Sequence, residues 1–435
     1  MEARPLKIYA ASNTPRLRYT ADLILGEILG LRWDIVSDRR KLGKHHIINY
    51  SEEIVPGSLN IRPSGLLSEE GFRYQNIKTG EWNRLPVIFF TGNGPDIPFD
   101  IFSAVFYLVS RYEEYLEYEP DHAGSFPASA SIACRNGFLG IPVVDFWSRE
   151  LAVLLLRKFH NMSFRRKEFR KLIIIDVVDS FPAGKNMDEI DERGNGEDAA
   201  QMLTDGDEYG KSIKARTDDV GDVVGYINEK TRYSNSDVIF FCSPRDSEID
   251  DNDFIPRKER LSSIIRKISE NGRIGLSYSG GDSSILPPVE SECRELDELT
   301  GKVCRSGIFQ RMGFRLPISY RNLIKAGISE DYSMGYHDVP GFRAGISRPF
   351  LFYDLIEERT TLLRIFPTHD TFAGKDPGSR RIQENAVETM GNIIRAIRKA
   401  GGTFTSVWHY EVLIQGEGNS QWRDFFEYTL REQAG

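Results

Sequence analysis

Large apolar residues recur three and four positions apart over PFDIFSAVFYLVSRYEEYLEY, residues 98–118, where Phe102, Val105, Phe106, Val109, Tyr112 and Leu116 make one stripe. That spacing predicts an amphipathic helix, with Pro98 at a start where its missing N–H costs nothing. VDFWSRELAVLLLRKFH, residues 144–160, predicts a second long helix. From about residue 170 the pattern changes. KLIIIDVV (171–178) and DVIFFC (237–242) are unbroken apolar runs of strand length, and Leu261, Ile264, Ile265 and Ile268 then mark a helix that Gly272 stops. The strand RIGLSYS follows, and later SYRNLIKAG leads into SEDYSMGY. After the strand LLRIFP (362–367), a helix striped by Ala386, Val387, Met390, Ile393, Ile394 and Ile397 precedes the strand TFTSVWHY. Repetition of strand and helix implies parallel strands joined by crossover helices. About six such strands lie after residue 170, which fits a barrel or near-barrel at least as well as an open sheet. The change of pattern divides the chain into 1–165 and 166–435.

Composition narrows the partners. With 56 basic and 64 acidic residues the net charge is −8, which argues against nucleic acid, whose phosphates require a concentrated basic surface. The basic run RRKEFRK (165–171) is short and reads as a solvated face. The acidic, glycine-dotted stretch 186–222 reads as a surface excursion. No apolar segment approaches the roughly 20 residues of a membrane span, and MEARPLKIYA has no signal-peptide core. Four scattered cysteines without CxxC spacing fit a reducing compartment, so a cytoplasmic protein is expected.

In parallel α/β sheets, chemistry collects at the C-terminal strand ends. In chain order those ends carry Asp176 and Asp179, Ser243, the stretch Ser277 to Asp282, Tyr332 and Tyr336, His369–Asp370, and His409 beside Trp408. Together they suggest a groove with acid, base or metal-ligand capacity. Each has a plainer alternative: Asp176 or Asp179 as a turn cap, His409 as a core histidine, His369–Asp370 as a surface loop. SGGDSS (279–284) is similar to the SGGxDS pyrophosphate loop of ATP pyrophosphatases but lacks one residue, and Walker A and GxGxxG are both missing. The nucleophile elbow GxSxG also fails, because Ser279 stands where its second glycine belongs.

Four long stretches carry a more specific likeness: residues 98–133, GFLGIPVVDFW (137–147), GISEDYSMGYHDVPGFRAGISRPFLFYDL (327–355) and VWHYEVL (407–413). They resemble the branch of the polysaccharide deacetylase (NodB-type) superfamily that has an N-terminal companion domain, over nearly the whole chain. The resemblance implies an irregular (β/α) barrel preceded by a smaller α/β domain. In active members an aspartate at the end of the first barrel strand is the general base. A second aspartate and two histidines hold a divalent metal, and a histidine near the last strand protonates the leaving amine.

Carried onto this chain, that pattern is incomplete. Ser277 stands where the family has its first metal histidine, and Gln310 where related sequences commonly have another. In IIIDVVDS the acids are three apart; aligning Phe181 with the family's aromatic makes Asp176 the base and puts Val178 at the ligand position, whereas aligning Asp179 keeps the ligand and loses the base. Serine and valine are poor ligands for zinc, cobalt or nickel. The expectation is therefore a degenerate, pseudo-enzyme member of carbohydrate metabolism with no cofactor, binding a glycan in the former active-site groove. Asp176 and His409 would be its catalytic-position residues, and Ser277, Gln310, Tyr332, Tyr336, Arg343, His369, Asp370 and Trp408 would line the groove. The second expectation is a working deacetylase with a rebuilt metal site, for instance Asp176, Asp179, Asp282 and His369. ATP-dependent chemistry at SGGDSS is a third.

Overall fold

Strands β1 (Leu6–Ala10), β2 (Trp33–Val36), β3 (Ile47–Tyr50) and β4 (Leu59–Ile61) form a parallel sheet in the order β2-β1-β3-β4. The computed structural model describes residues 5–43, 45–122, 124–165, 168–177, 222–234, 236–244, 254–278, 289–309, 314–337, 339–369, 385–414 and 420–431. Helix α1 (Pro15–Ala21) starts where the Thr14 hydroxyl accepts the Leu17 N–H, with Pro15 in its first turn. A hairpin of β5 (Thr79–Trp82) and β6 (Leu85–Ile88) turns through Asn83 and Arg84, both at positive φ, the turn whose twist suits paired strands.

The helix expected over 98–118 is broken. Helix α2 (Ile101–Val109) begins at Asp100, whose carboxylate caps the Ser103 N–H at 3.1 Å. It stops at Ser110; Arg111 adopts a φ of 55°, and only one 3-10 turn, Tyr112–Tyr115, follows. The periodicity continues through the break, but a distant partner for Arg111 overrides it. After the short α3 (Ile132–Arg135), α4 (Val143–Lys158) matches the second expected helix within a few residues.

The second sheet has eight strands: β7 (Arg170–Val177), β8 (Ser236–Cys242), β9 (Arg273–Tyr278), β10 (Ser306–Phe309), β11 (Glu330–Asp331), β12 (Phe350–Asp354), β13 (Arg359–Ile365) and β14 (Thr403–His409). Their order is β12-β13-β11-β10-β9-β8-β7-β14, parallel throughout except for β12 against β13. The α5 (222–231), α6 (Phe254–Asn271), α7 (Val289–Thr300), α8 (Ile318–Lys325), α9 (Ala386–Ala400) and α10 (Ser420–Arg431) helices complete it. Both faces are apolar, as a covered parallel sheet requires. Leu172, Ile174, Ile239, Phe241, Ile308 and Tyr332 form one cluster with Phe366 and Val407. The alternate positions Ile173, Ile175, Phe240, Leu276 and Trp408 join the larger core.

The sheet is strongly curled. In a flat sheet β7 and β9, with β8 between them, would lie about 10 Å apart, yet the Ser277 hydroxyl on β9 reaches Asp176 on β7 at 2.9 Å. The segment after β13 leads towards the far edge: Phe366 N–H donates to Asp331 O, Thr368 N–H to Met334 O, and His369 N–H to Thr405 O on β14.

Strand β11 is short because a buried carboxylate organises it. Asp331 accepts hydrogen bonds from the Tyr320 hydroxyl (2.7 Å), the Ser333 hydroxyl (2.6 Å) and the Ser333 N–H (3.0 Å). Burial dominates those donors and pushes its carboxyl up from 3.8 to about 6. A raised folded-state value means the native state holds this proton more tightly than the unfolded chain. Its stabilising contribution is therefore complete below pH 3.8 and is lost as pH rises through about 6. The swing is on the order of 3 kcal/mol. Asp331→Asn should flatten the stability–pH curve over that window, measured by urea melts at several pH values. An unchanged slope would show that the residue does not titrate there.

Candidate functional site

Asp176 is the last residue but one of β7, opposite His409 of β14 on one side and Phe241 of β8 on the other. Its Oδ1 accepts the Ser277 hydroxyl at 2.9 Å, and the His409 Nδ1 lies 3.7 Å from its Oδ2. Ser277 is fully buried, whereas the His409 side chain keeps 17% of its surface exposed. The arrangement is a nearly buried acid at a strand end, braced from within by a hydroxyl and flanked by a partly exposed imidazole.

This geometry suits some chemistries better than others. A nucleophilic serine needs its Oγ on a general base, usually an imidazole. Here the Ser277 hydroxyl gives its hydrogen to a carboxylate, so it acts as a brace. The carboxylate and imidazole instead suit binding of hydroxyl and amide groups, or proton transfer with them. The floor is tightly built: a Cβ at Gly275 would stand 2.5 Å from the Phe241 ring. Phe241 and Gly275 are site neighbours that sequence reasoning passed over, although a glycine inside an apolar strand is a signal of close approach.

Residues 6–160 match the model of a family of unknown function (DUF7033). Comparison with curated proteins gave no match. A crystal structure of a Mycobacterium smegmatis protein, provisionally described as a polysaccharide deacetylase, is similar at 14% identity and a TM-score of 0.38. That similarity covers 61% of this chain and 85% of the other. A likeness this loose carries no argument about activity.

The other expected site residues are placed elsewhere. Trp408 alternates with His409 along β14 and so faces the opposite side, against Phe425 and Phe426 of α10. Tyr332 lies inside the curl, but its hydroxyl lies at the strand-start end, donating to Glu330 at 3.0 Å beside Arg273. Arg343 and Tyr336 are drawn into a buried charge network: Arg343 makes a bidentate pair with Glu114 (2.9 and 2.7 Å), and Arg111 donates to Tyr336 Oη at 3.1 Å. A guanidinium so engaged is not part of an open groove.

His369 is buried between Phe342 and Phe404, and its Nδ1 accepts the Thr405 N–H at 3.2 Å. Burial pushes it down to about 3, so the ring is neutral with its proton on Nε2. That Nε2 has no partner among the described residues. Asp179, Asp282, Gln310 and Asp370 lie outside the described residues, as do Val178, Phe181, the SGGDSS stretch and nearly all of the acidic stretch 186–222.

Among the described residues no group of three or more histidine, cysteine, aspartate or glutamate side chains could hold a metal ion. Asp176 and His409, with a hydroxyl already committed to the carboxylate, do not by themselves fit the coordination demanded by zinc, cobalt or nickel. No helix among the described residues is long and apolar enough to cross a membrane.

Proposed function

We propose that the chain is a polysaccharide deacetylase-like protein that binds a glycan at the mouth of the curled sheet and deacetylates poorly or not at all. In this reading residues 1–165 are a companion domain, 166–435 an irregular barrel, and the protein works in the cytoplasm. One observation carries it: the Ser277 hydroxyl rests on Asp176, at the position where the resembled family uses a metal-binding imidazole. Asp176 accepts from a sugar hydroxyl or acetamide N–H, and His409 contributes a second polar contact from the exposed side.

Calorimetric titration with chitin oligomers and peptidoglycan fragments, alongside acetate release and metal analysis, tests this. Binding of one of these glycans is expected, weakened roughly tenfold or more by Asp176→Asn through loss of a charged hydrogen bond. Ser277→His combined with Gln310→His is expected to raise metal uptake. One tightly held zinc with ready turnover in the unmodified protein would overturn the proposal and favour the rebuilt acid-and-histidine site.

A further inference from the structure

Seven of the eight strands in the second sheet run parallel and therefore start at one end, opposite the end that carries Asp176 and His409. Arg170 opens β7 and Asp176 nearly closes it, so the two ends are about 20 Å apart along that strand. Three of the four most exposed large apolar side chains among the described residues stand at the starting end. They are Tyr233 (83% exposed) just before β8, Val303 (69%) just before β10, and Leu362 (90%) in the first half of β13. An exposed apolar residue on its own is ordinary, but these gather at one end of one sheet, each beside basic side chains. Arg232 lies against the Tyr233 ring at 5.7 Å, Lys302 and Arg305 flank Val303, and Arg359 precedes Leu362 on its strand. Acids of the same end are already paired: Glu330 with Arg273 at 2.8 Å, Glu357 with Arg321 at 3.2 Å and Glu168 with Arg170 at 3.8 Å. Arg232, Arg305 and Arg359 make no ion pair among the described residues. With Lys302 they are a basic surplus that exposed Asp237 and Glu270 offset only in part.

We propose that this end docks on an anionic lipid bilayer, where the protein lies peripherally with the Asp176 end turned away from the lipid. The apolar side chains sit on three separate segments around the sheet and form no single groove. A folded partner needs a continuous complementary surface, whereas a bilayer interface admits side chains one at a time. The Tyr233 ring suits the headgroup level, and Val303 and Leu362 reach the acyl boundary. Arg232, Arg305 and Arg359 then meet lipid phosphates, for which a guanidinium fork is well matched. The chain as a whole carries a net charge of −8, so an anionic surface repels most of the molecule and attracts this end, which fixes the direction of approach. The cytoplasmic leaflet of a membrane is such a surface.

Sedimentation of the full chain with vesicles of phosphatidylcholine alone, and of phosphatidylcholine mixed with phosphatidylglycerol, tests this. Binding is expected only to the mixed vesicles and should weaken as salt is raised. Arg305→Gln combined with Arg359→Gln should lower the affinity roughly twenty- to thirtyfold. Val303→Asp combined with Leu362→Asp should lower it roughly tenfold or more, through lost apolar insertion and added repulsion. All four side chains are exposed, so the variants should melt close to the parent. No sedimentation with either vesicle, or equal sedimentation with phosphatidylcholine alone, would overturn the proposal. So would light scattering that shows concentration-dependent dimers abolished by Leu362→Asp, which would put a second copy of the chain on this face. The unmodified protein decides the question even if a variant does not fold.

Discussion

Glu114→Ala is expected to cost roughly 3–5 kcal/mol of stability, the range for breaking a buried ion pair from one side. The carboxylate receives Arg111 Nε at 2.7 Å and two Arg343 nitrogens, Nε and Nη2, with all three side chains almost fully buried. Burial alone would raise the Glu114 carboxyl, but Arg343 and Arg111 outweigh it and hold it below the ordinary carboxylate range. Removing it leaves the Arg343 guanidinium on the Gly335 carbonyl and Arg111 on Glu113, whose own carboxyl burial pushes up. Thermal and urea melts measure the loss. A variant within about 1 kcal/mol of the parent, the usual span of an exposed pair, would show that water reaches this network. Arg343→Met combined with Glu114→Leu should recover part of the deficit, because the penalty comes from unpaired charge rather than lost volume.

Gly275→Ala should cost about 3 kcal/mol, at the upper end of overpacking penalties. The added carbon would meet the Phe241 ring at 2.5 Å and the Ser306 carbonyl oxygen at 2.9 Å. The ring can tilt away, but the backbone oxygen belongs to the adjacent strand and cannot. Phe241 sits opposite Asp176, so its displacement should also weaken whatever binds the carboxylate. Melts and the glycan titration together check this; unchanged values in both would mean the floor of the site yields freely.

The strands whose apolar runs are long were legible in the sequence. β7, β8, β9 and β14 fall within a residue or two of KLIIIDVV, DVIFFC, RIGLSYS and TFTSVWHY. β10 is four residues long and β12 runs against its neighbour, so neither repeats the strand–helix rhythm that exposed the others. For the site, the strand-end rule singled out Asp176, Ser277 and His409, and they do meet. Trp408 was misassigned despite a signal in plain view: successive strand residues face opposite ways, so it and His409 cannot both line one groove. Arg343 was harder. Nothing local in GFRAGIS reveals that its partner lies 229 residues earlier.

That separation has a consequence in time. Asp145, fully buried, accepts Ser347 N–H and Arg348 Nε from 202 and 203 residues later, and Arg16 reaches Glu358 across 342. A ribosome adding roughly 5–20 residues per second takes about 10–45 s to make the stretch from Glu114 to Arg343. Throughout that interval the emerging first half carries charges destined for burial whose partners do not yet exist. Its helices must wait, solvated or held by a chaperone, until GFRAGIS leaves the exit tunnel, and slowing translation between residues 165 and 335 should lengthen the period in which the nascent chain is open to protease.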